Sequence, residues 1–480
     1  MKTETILNFV NGTFVHGEGR TIDVLNPEDN SVLAQVEFAT IPLIDLAVKK
    51  AKEAQIQWKK QTFKKRTEVI FALRNLLIEN QQNLVECIHH ENGKTYVESE
   101  ADVAKAIESC EFAISLPALL SGRTQYVSTG IEVKELIKPV GIVASITPFN
   151  FPLMVPMWTI PNVLVTGNAM ILKPSEQTPM TASILAELFK KAGLPAGLFT
   201  VLNGGKDVVE AICDHPDIQV VTFVGSTPVA ETVYKRATSH LKRCLALGGA
   251  KNHLIVTEDV DQCSVACEIT AAAYGMSGQR CMAASVVLAV GNCEKLIDEI
   301  VSISKKCLNK NTLPPLISIE NVHKLHEYLS KSNGSILVDG RNTEKCELSN
   351  SCFVGPSVIL YDTYEAMPKL EIFAPTLEII RCASLEEALH YQNESPYANG
   401  ASIFTGSGRY ASDAVNEMSA GMLGVNIGIP VPREPYSFGG LKSSKFGYGD
   451  ISGYDSIHLF TVTQKITTKW DPKEKKDWAS

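Results

Sequence analysis

A cysteine delivered by a glycine-containing turn can serve as a nucleophile. Gly275-Met276-Ser277-Gly278-Gln279-Arg280-Cys281 closes a helix-like stretch, Cys267 to Tyr274, with such a turn. The arginine beside Cys281 would favour the thiolate, which is the reactive form of the side chain. A thiolate that attacks a carbonyl generates a tetrahedral alkoxide, and a side-chain amide can hold that oxygen without repelling its charge. Asn150, in the turn Thr147-Pro148-Phe149-Asn150-Phe151-Pro152, has the required chemistry. Taken singly, such a cysteine is more often a small buried hydrophobe and such an asparagine merely ends a strand. No Gly-x-Gly-x-x-Gly follows a core strand, and Gly204-Gly205 lacks that spacing, so the usual dinucleotide-binding fingerprint is absent.

The elements that must position these residues read as α/β. Ile142 to Ile146, Ala169 to Leu172 and Gln219 to Val224 are short apolar runs with strand character, separated by helix-like stretches at Met180 to Ala192 and Lys206 to Cys213. That order predicts a right-handed parallel sheet with helices on both faces. Leu43 to Asn92 reads as two amphipathic helices forming an outer layer. A second α/β unit is expected from strand candidates at Leu254 to Val256, Ser285 to Val290, Val358 to Tyr361 and Glu378 to Arg381. Tyr126 to Leu136 and His458 to Thr468 fit neither sheet and read as strands with free edges, suited to pairing with another subunit. The charged end, Asp471 to Ser480, reads as a solvated tail.

With 480 residues, 45% hydrophobic and 20% charged, the chain can bury more than one core. Its formal net charge of -8 comes with no basic stripe, so a nucleic-acid partner is not expected. The start, Met1 to Arg20, has no continuous apolar core to act as a secretory signal, and no run is long enough to span a bilayer. Twelve cysteines without regular dense spacing suggest free thiols in a reducing, cytoplasmic compartment. Cys263 with Cys267, and His89 with His90, lack a second pair at metal-site spacing, and no metal is expected.

Gly278-Gln279-Arg280-Cys281 resembles the nucleophile motif of the aldehyde dehydrogenase superfamily. Four further segments resemble its motifs in family order: Thr147 to Pro152, Lys173-Pro174-Ser175-Glu176, Phe223-Val224-Gly225-Ser226 and Glu371-Ile372-Phe373-Ala374-Pro375. The resemblance implies a Rossmann-type NAD-binding domain (1–122 with 142–246), an α/β catalytic domain (247–435) and a small β oligomerisation element (123–141 with 456–470), assembled as a homodimer or homotetramer. It implies Cys281 as nucleophile, with its own backbone N–H and the Asn150 amide as the oxyanion site. NAD would be held by Thr147, Phe149, Lys173, Glu176, Gln177, Gly225, Ser226 and Glu371. A carboxylate at Glu176 facing the ribose 2'-hydroxyl would favour NAD over NADP.

Hydrolytic members of the family carry Glu-Leu-Gly-Gly-Lys, whose glutamate activates water. Here the segment is Ala246-Leu247-Gly248-Gly249-Ala250-Lys251, and neither Ala246 nor Leu247 can take a proton. Glu258 and Asp259 lie beyond the next strand. Gly249-Ala250-Lys251-Asn252-His253, with the Cys281 and Asn150 motifs, is most similar to the CoA-acylating methylmalonate-semialdehyde dehydrogenase branch. That likeness implies malonate or methylmalonate semialdehyde as substrate, coenzyme A as acyl acceptor, loss of CO2, and Arg280 on the substrate carboxylate. Ala104-Lys105 stands where the branch carries a second arginine. A hydrolytic dehydrogenase yielding a free acid, and a catalytically silent binding or structural homologue, are the alternatives.

Overall fold

Ile142–Ile146 is a run of five buried residues that water cannot reach from either face, the pattern a central parallel strand demands. In the computed structural model, which describes residues 4–310, 313–341 and 351–470, it is a central strand of an eight-stranded sheet. The parallel part runs, across the sheet, Arg243–Leu247, Val220–Val224, Ile142–Ile146, Ala169–Lys173, Phe199–Val201. Numbered along the chain that order is 5-4-1-2-3, and it reverses between Ile142–Ile146 and Val220–Val224. Doubly wound sheets bind ligands at such a reversal, outside the carboxyl ends of the strands. The hairpin Asn8–Val10 and Thr13–Val15 extends one edge antiparallel, and Lys445–Phe446 returns from far along the chain to pair antiparallel with Ala246 and Leu247 at the other.

The second sheet orders Ser335–Val338, Ser357–Tyr361, Thr376–Cys382, Ala284–Val290, Asn252–Thr257, Gly400–Phe404 and Met422–Val425, parallel except for its first strand. It carries buried apolar clusters on both faces, one including Ile255, Val286 and Ile380 and the other Leu254, Val287 and Ile379. Thr124–Ser128, Ile131–Pro139 and Thr461–Lys469 form a separate antiparallel sheet whose edge strand Thr124–Ser128 is exposed throughout. Among the described residues no helix is long and apolar enough to cross a membrane.

Three expectations need correction or completion. Leu43 to Asn92 holds three helices, Ile41–Trp58, Phe63–Glu79 and Gln81–Asn92. Thr62 caps the second by accepting from Lys65 N–H, and Asn80 interrupts the periodicity before a third that buries Leu84 and Ile88. His458 to Phe460 is the end of helix Gly453–Phe460, so the last strand begins only at Thr461. Glu4–Ile6, Glu18–Leu25 and Val32–Ala39 form a small sheet that was not expected, its core being Ile6, Val24, Ala34, Val36 and Phe38. Asp471 to Ser480 lies outside the described residues.

Candidate active site

Helix Gln262–Tyr274 stops at Gly275, and the chain then turns through Met276, Ser277 and Gly278 with φ of 53°, 51° and 70°. Left-handed backbone is unfavourable for Met and Ser, so the turn must be held from outside. Met276 N–H donates to Glu98 Oε1, Ser277 Oγ donates to the Pro314 carbonyl, and Gln279 Oε1 accepts from Ile317 N–H at 2.9 Å. At position 278 only glycine fits, because a Cβ would stand 2.4 Å from the Ala374 carbonyl oxygen. The turn delivers Cys281 just ahead of strand Ala284–Val290, at the amino end of the second sheet. There its carbonyl accepts from Asn252 Nδ2 (2.9 Å) and Asn399 Nδ2 (3.1 Å).

Asn150 leaves the carboxyl end of Ile142–Ile146, is buried, and donates through Nδ2 to the Gln279 carbonyl at 3.0 Å, two residues before Cys281. The carboxyl ends of one sheet thus meet the amino ends of the other, with amide and thiol between them.

The half-buried thiol is not poised as a thiolate. Desolvation, and after it the charge of Glu371, push Cys281 up to about 12. The charge of the neighbouring Arg280 favours the thiolate, as expected, but desolvation and Glu371 outweigh it, and the guanidinium turns to the end of the preceding helix. Its Nη2 donates to the carbonyls of Ala271 (3.2 Å) and Ala272 (2.8 Å), where the helix dipole favours a cation. Arg280 Nε has no hydrogen-bond partner among the described residues. Lys105 is held by Glu434 (2.5 Å) and Glu108 (2.9 Å).

Glu371 shares a void with Cys281, Arg280, Ala250 and Phe373. Its Oε1 accepts from Ala250 N–H at 2.8 Å, and a Cβ on Gly249 would come 2.4 Å from its Oε2. Burial lifts this carboxyl to about 7. Behind it, Lys251 Nζ donates to the Leu370 carbonyl (2.9 Å) and pairs with buried Glu378 (2.5 Å), fixing the backbone that carries Glu371.

The remaining residues of interest gather at the carboxyl ends of the first sheet. Thr147 N–H donates to the Lys173 carbonyl (3.1 Å), and Phe149 meets Phe373 edge-on at 6.0 Å. Lys173 Nζ pairs with Glu176 Oε2 at 3.0 Å. Desolvation works against the charge on both, pulling Lys173 below its usual value; for Glu176 the Lys173 charge and hydrogen bonds outweigh it, and its carboxyl lies below the usual range. Gln177 N–H donates to Ser175 Oγ (3.2 Å) and Gly225 N–H to the Leu247 carbonyl (3.1 Å). Ser226 is exposed and begins helix Thr227–Ser239 without capping it through its side chain. These residues flank the reversal of strand order, and the N–H groups of the helix start suit a pyrophosphate, so the crevice fits a dinucleotide.

Ala246 and Leu247 end strand Arg243–Leu247 fully packed in the core. Glu258 accepts from Asn292 N–H (2.6 Å) and Asp259 from Gly406 N–H (3.1 Å), both at the far end of Asn252–Thr257 from Cys281. Sequence reasoning missed Asn399, Glu98, Lys94 and Asp102, which lie in none of the motifs. Asn252 stood in the segment beside Lys251, but its type and position gave no sign of its contact with Cys281.

The fold and this constellation are those of a dinucleotide-dependent dehydrogenase. The model of the aldehyde dehydrogenase family matches residues 14–466. The chain is 41% identical over 480 residues to malonate-semialdehyde dehydrogenase 2 of Geobacillus kaustophilus, covering 97% of this chain and 99% of that one. It is 40% identical to malonate-semialdehyde dehydrogenase of Halalkalibacterium halodurans, with 97% and 99% covered. Among solved structures, methylmalonate-semialdehyde dehydrogenase of Oceanimonas doudoroffii superposes with a TM-score of 0.94 at 35% identity over 98% of this chain and 99% of that one. A candidate methylmalonate-semialdehyde dehydrogenase of Sinorhizobium meliloti, solved with NAD, gives 0.95 at 37% identity over the same shares. The chain belongs to the aldehyde dehydrogenase family.

Proposed function

We propose that the protein oxidises a small semialdehyde, malonate or methylmalonate semialdehyde, with NAD, and passes the acyl group from Cys281 to coenzyme A with loss of CO2. The observation that carries this reading is the Asn150 amide anchored two residues before Cys281, in a chain where buried, apolar Ala246 and Leu247 occupy the sequence positions of the water-activating glutamate of hydrolytic relatives. The names of the relatives support the substrate class.

In this reading Cys281 Sγ, once deprotonated, bonds to the aldehyde carbon. Asn150 Nδ2 and the Cys281 N–H donate to the resulting oxygen, preorganised by their backbone anchors. Bound NAD supplies the acceptor for the hydride released when that alkoxide collapses. What stays on the protein is a thioester, and a thiol attacking it needs less assistance than water does. Arg280, through its unpartnered Nε–H, is the proposed donor to the substrate carboxylate. Thr147, Phe149, Lys173, Glu176, Gln177, Gly225, Ser226 and Glu371 are the proposed NAD contacts. The three main sheets support a division into 1–122 with 142–246, 247–435, and 123–141 with 456–470, with Lys445–Phe446 returning to the first sheet. The exposed strand Thr124–Ser128 supports a homo-oligomer, and the free thiols of the described residues support a reducing cytoplasm.

One observation favours the hydrolytic reading. Glu371, lifted to about 7, faces the same void as Cys281 and has the pKa of a workable base. A single experiment separates the two. Without coenzyme A, enzyme mixed with NAD and malonate semialdehyde should give a burst of NADH of about one per active site and then a slow phase, as an accumulating acyl-enzyme does. Coenzyme A should restore full turnover. A steady rate independent of coenzyme A, with free acid as product, would exclude the acylating reading.

A further inference from the structure

The start of helix Tyr96–Ser115 touches both halves of the site, and neither Lys94 nor Glu98 lines the void that Cys281 shares with Glu371. Lys94 is fully buried, and its Nζ donates to the Asn150 carbonyl (2.8 Å) and to Asp102 Oδ2 (2.8 Å) while resting over the Phe151 ring at 4.3 Å. Asp102 Oδ1 accepts from Met154 N–H at 2.6 Å, and Asn92 Nδ2 donates to the Phe149 carbonyl at 2.8 Å. Residues 150 and 154 are therefore tied by backbone to one buried ion pair, and residue 149 to nearby Asn92. Glu98 works in the other direction. Its Oε2 closes the capping box with Thr95 N–H (3.0 Å) and Thr95 Oγ1 (2.8 Å), and its Oε1 takes the N–H of Met276 in the left-handed turn before Cys281.

A buried ion pair rarely stabilises a protein more than apolar residues of equal volume, so its presence directs attention to what it orients. Here it orients the backbone of the amide donor. Met276 and Ser277 lie in a conformation that local sterics oppose, and the carboxylate of Glu98 is one of the groups holding it. A single capped helix start thereby fixes two loops that come from different sheets.

We propose that Lys94 and Glu98 are positioning residues that set the Asn150 amide against Cys281, Lys94 holding the amide side and Glu98 the thiol side. This rests on the assignment of Asn150 and Cys281 above. Errors of this kind act on the transition state more than on the ground state, so the effect belongs in the rate of the hydride-releasing step.

The test is the single-turnover rate of NADH formation at saturating NAD and aldehyde in Lys94→Met, Glu98→Ala and Glu98→Gln, with Lys94→Met also made in an Asn150→Ala background. Lys94→Met and Glu98→Ala should each slow the step by roughly one to two decades, somewhat less than loss of an oxyanion donor itself, with the KM for NAD within about twofold. Glu98→Gln keeps an acceptor for Met276 N–H and should recover most of the rate. In the Asn150→Ala background Lys94→Met should cost less than about threefold more, because residues acting as a unit are not additive. A general packing defect would cost the same factor in both backgrounds, and that result, or a Lys94→Met rate within about twofold of wild type, overturns the proposal. If Lys94→Met does not fold, the contrast between Glu98→Ala and Glu98→Gln decides, and equal rates for those two overturn it. An Asn150→Ala enzyme with the wild-type rate would remove the site assignment and the proposal with it, whereas a slow Asn150→Ala beside an unaffected Lys94→Met removes the proposal alone.

Discussion

The two sides of the cleft are built differently. On the proposed reaction side, Asn150 is held by Lys94 through its carbonyl and by Gln279 through its amide, and the Cys281 carbonyl is held by Asn252 and Asn399. On the proposed cofactor side, Ser226 is exposed without a side-chain cap, and Lys173 and Glu176 form a pair at 3.0 Å in which Glu176 also feels the charge of Arg20. The difference follows from what each side meets. A developing oxyanion exists briefly and must find its donors already in place, since reorganising them would add to the barrier. A dinucleotide brings its own hydroxyls and charges and can displace a weak pair as it binds. Damage to the first side should fall on kcat, and damage to the second on KM and cofactor choice.

The sharpest way to break this contrast is Cys281→Ala, which removes the proposed covalent partner and no proposed cofactor contact. Oxidation should drop by at least about a hundredfold, the scale expected for loss of a nucleophile. NAD affinity, measured by calorimetry, should stay within about twofold of wild type. Residual activity above that level would mean another group attacks the aldehyde. Asn150→Ala comes next, with kcat lower by roughly two to three decades and KM little changed, as for one oxyanion donor. A loss confined to KM would move Asn150 to the binding side of the comparison.

How much of this was legible in the sequence tracks how local the causes are. Ile142–Ile146 announced itself as a central strand because a strand buried on both faces must be apolar throughout, and the turn that delivers Cys281 was legible because its residues are contiguous. The third outer helix was lost because Asn80 interrupts the periodicity without a proline or glycine to mark the break. The two-residue strand Lys445–Phe446 was invisible, since its partner lies about two hundred residues away and so short a segment carries no periodicity. Arg280 was legible only in part: its charge favours the thiolate, but its head bonds the carbonyls of Ala271 and Ala272, a contact that adjacency to Cys281 does not signal. Lys94, Asp102 and Glu98 act across long separations, and nothing in their own surroundings signals it.

Glu371 sits on the border between the two sides, and pH exposes its role. Above about 7 it is a carboxylate whose charge, added to desolvation, opposes ionisation of Cys281; below that it is neutral and its contribution vanishes. Alkylation of Cys281 in the NAD-free enzyme by iodoacetamide, followed on its own peptide by mass spectrometry, should therefore rise about tenfold per pH unit from pH 7 to 10 without a plateau, since a thiol pushed up to about 12 is still mostly protonated there. Glu371→Gln should be severalfold faster than wild type near pH 9 and indistinguishable near pH 6. Equal rates at both pH values would detach the two groups electrostatically.

The smallest effect is expected at Glu176, and its size follows from exposure. Its side chain is 40% exposed, so solvent screens whatever it does to a bound phosphate, and exposed charge pairs are worth at most about 1 kcal/mol. Repulsion of a 2'-phosphate should then give a preference for NAD over NADP that Glu176→Gln narrows by roughly fivefold, the factor such an energy allows. Lys173 contributes to the same shift, because losing the partner charge 3.0 Å away leaves its ammonium available to the incoming phosphate. Both contributions are Coulombic, so the narrowing should shrink between low salt and about 0.5 M salt as screening shortens their reach. kcat should not move, which is what places Glu176 opposite Asn150 in the comparison. Equal kcat/KM for the two cofactors in the wild-type enzyme would take the ribose assignment away from Glu176, and a narrowing indifferent to salt would mean that shape, not charge, excludes the phosphate.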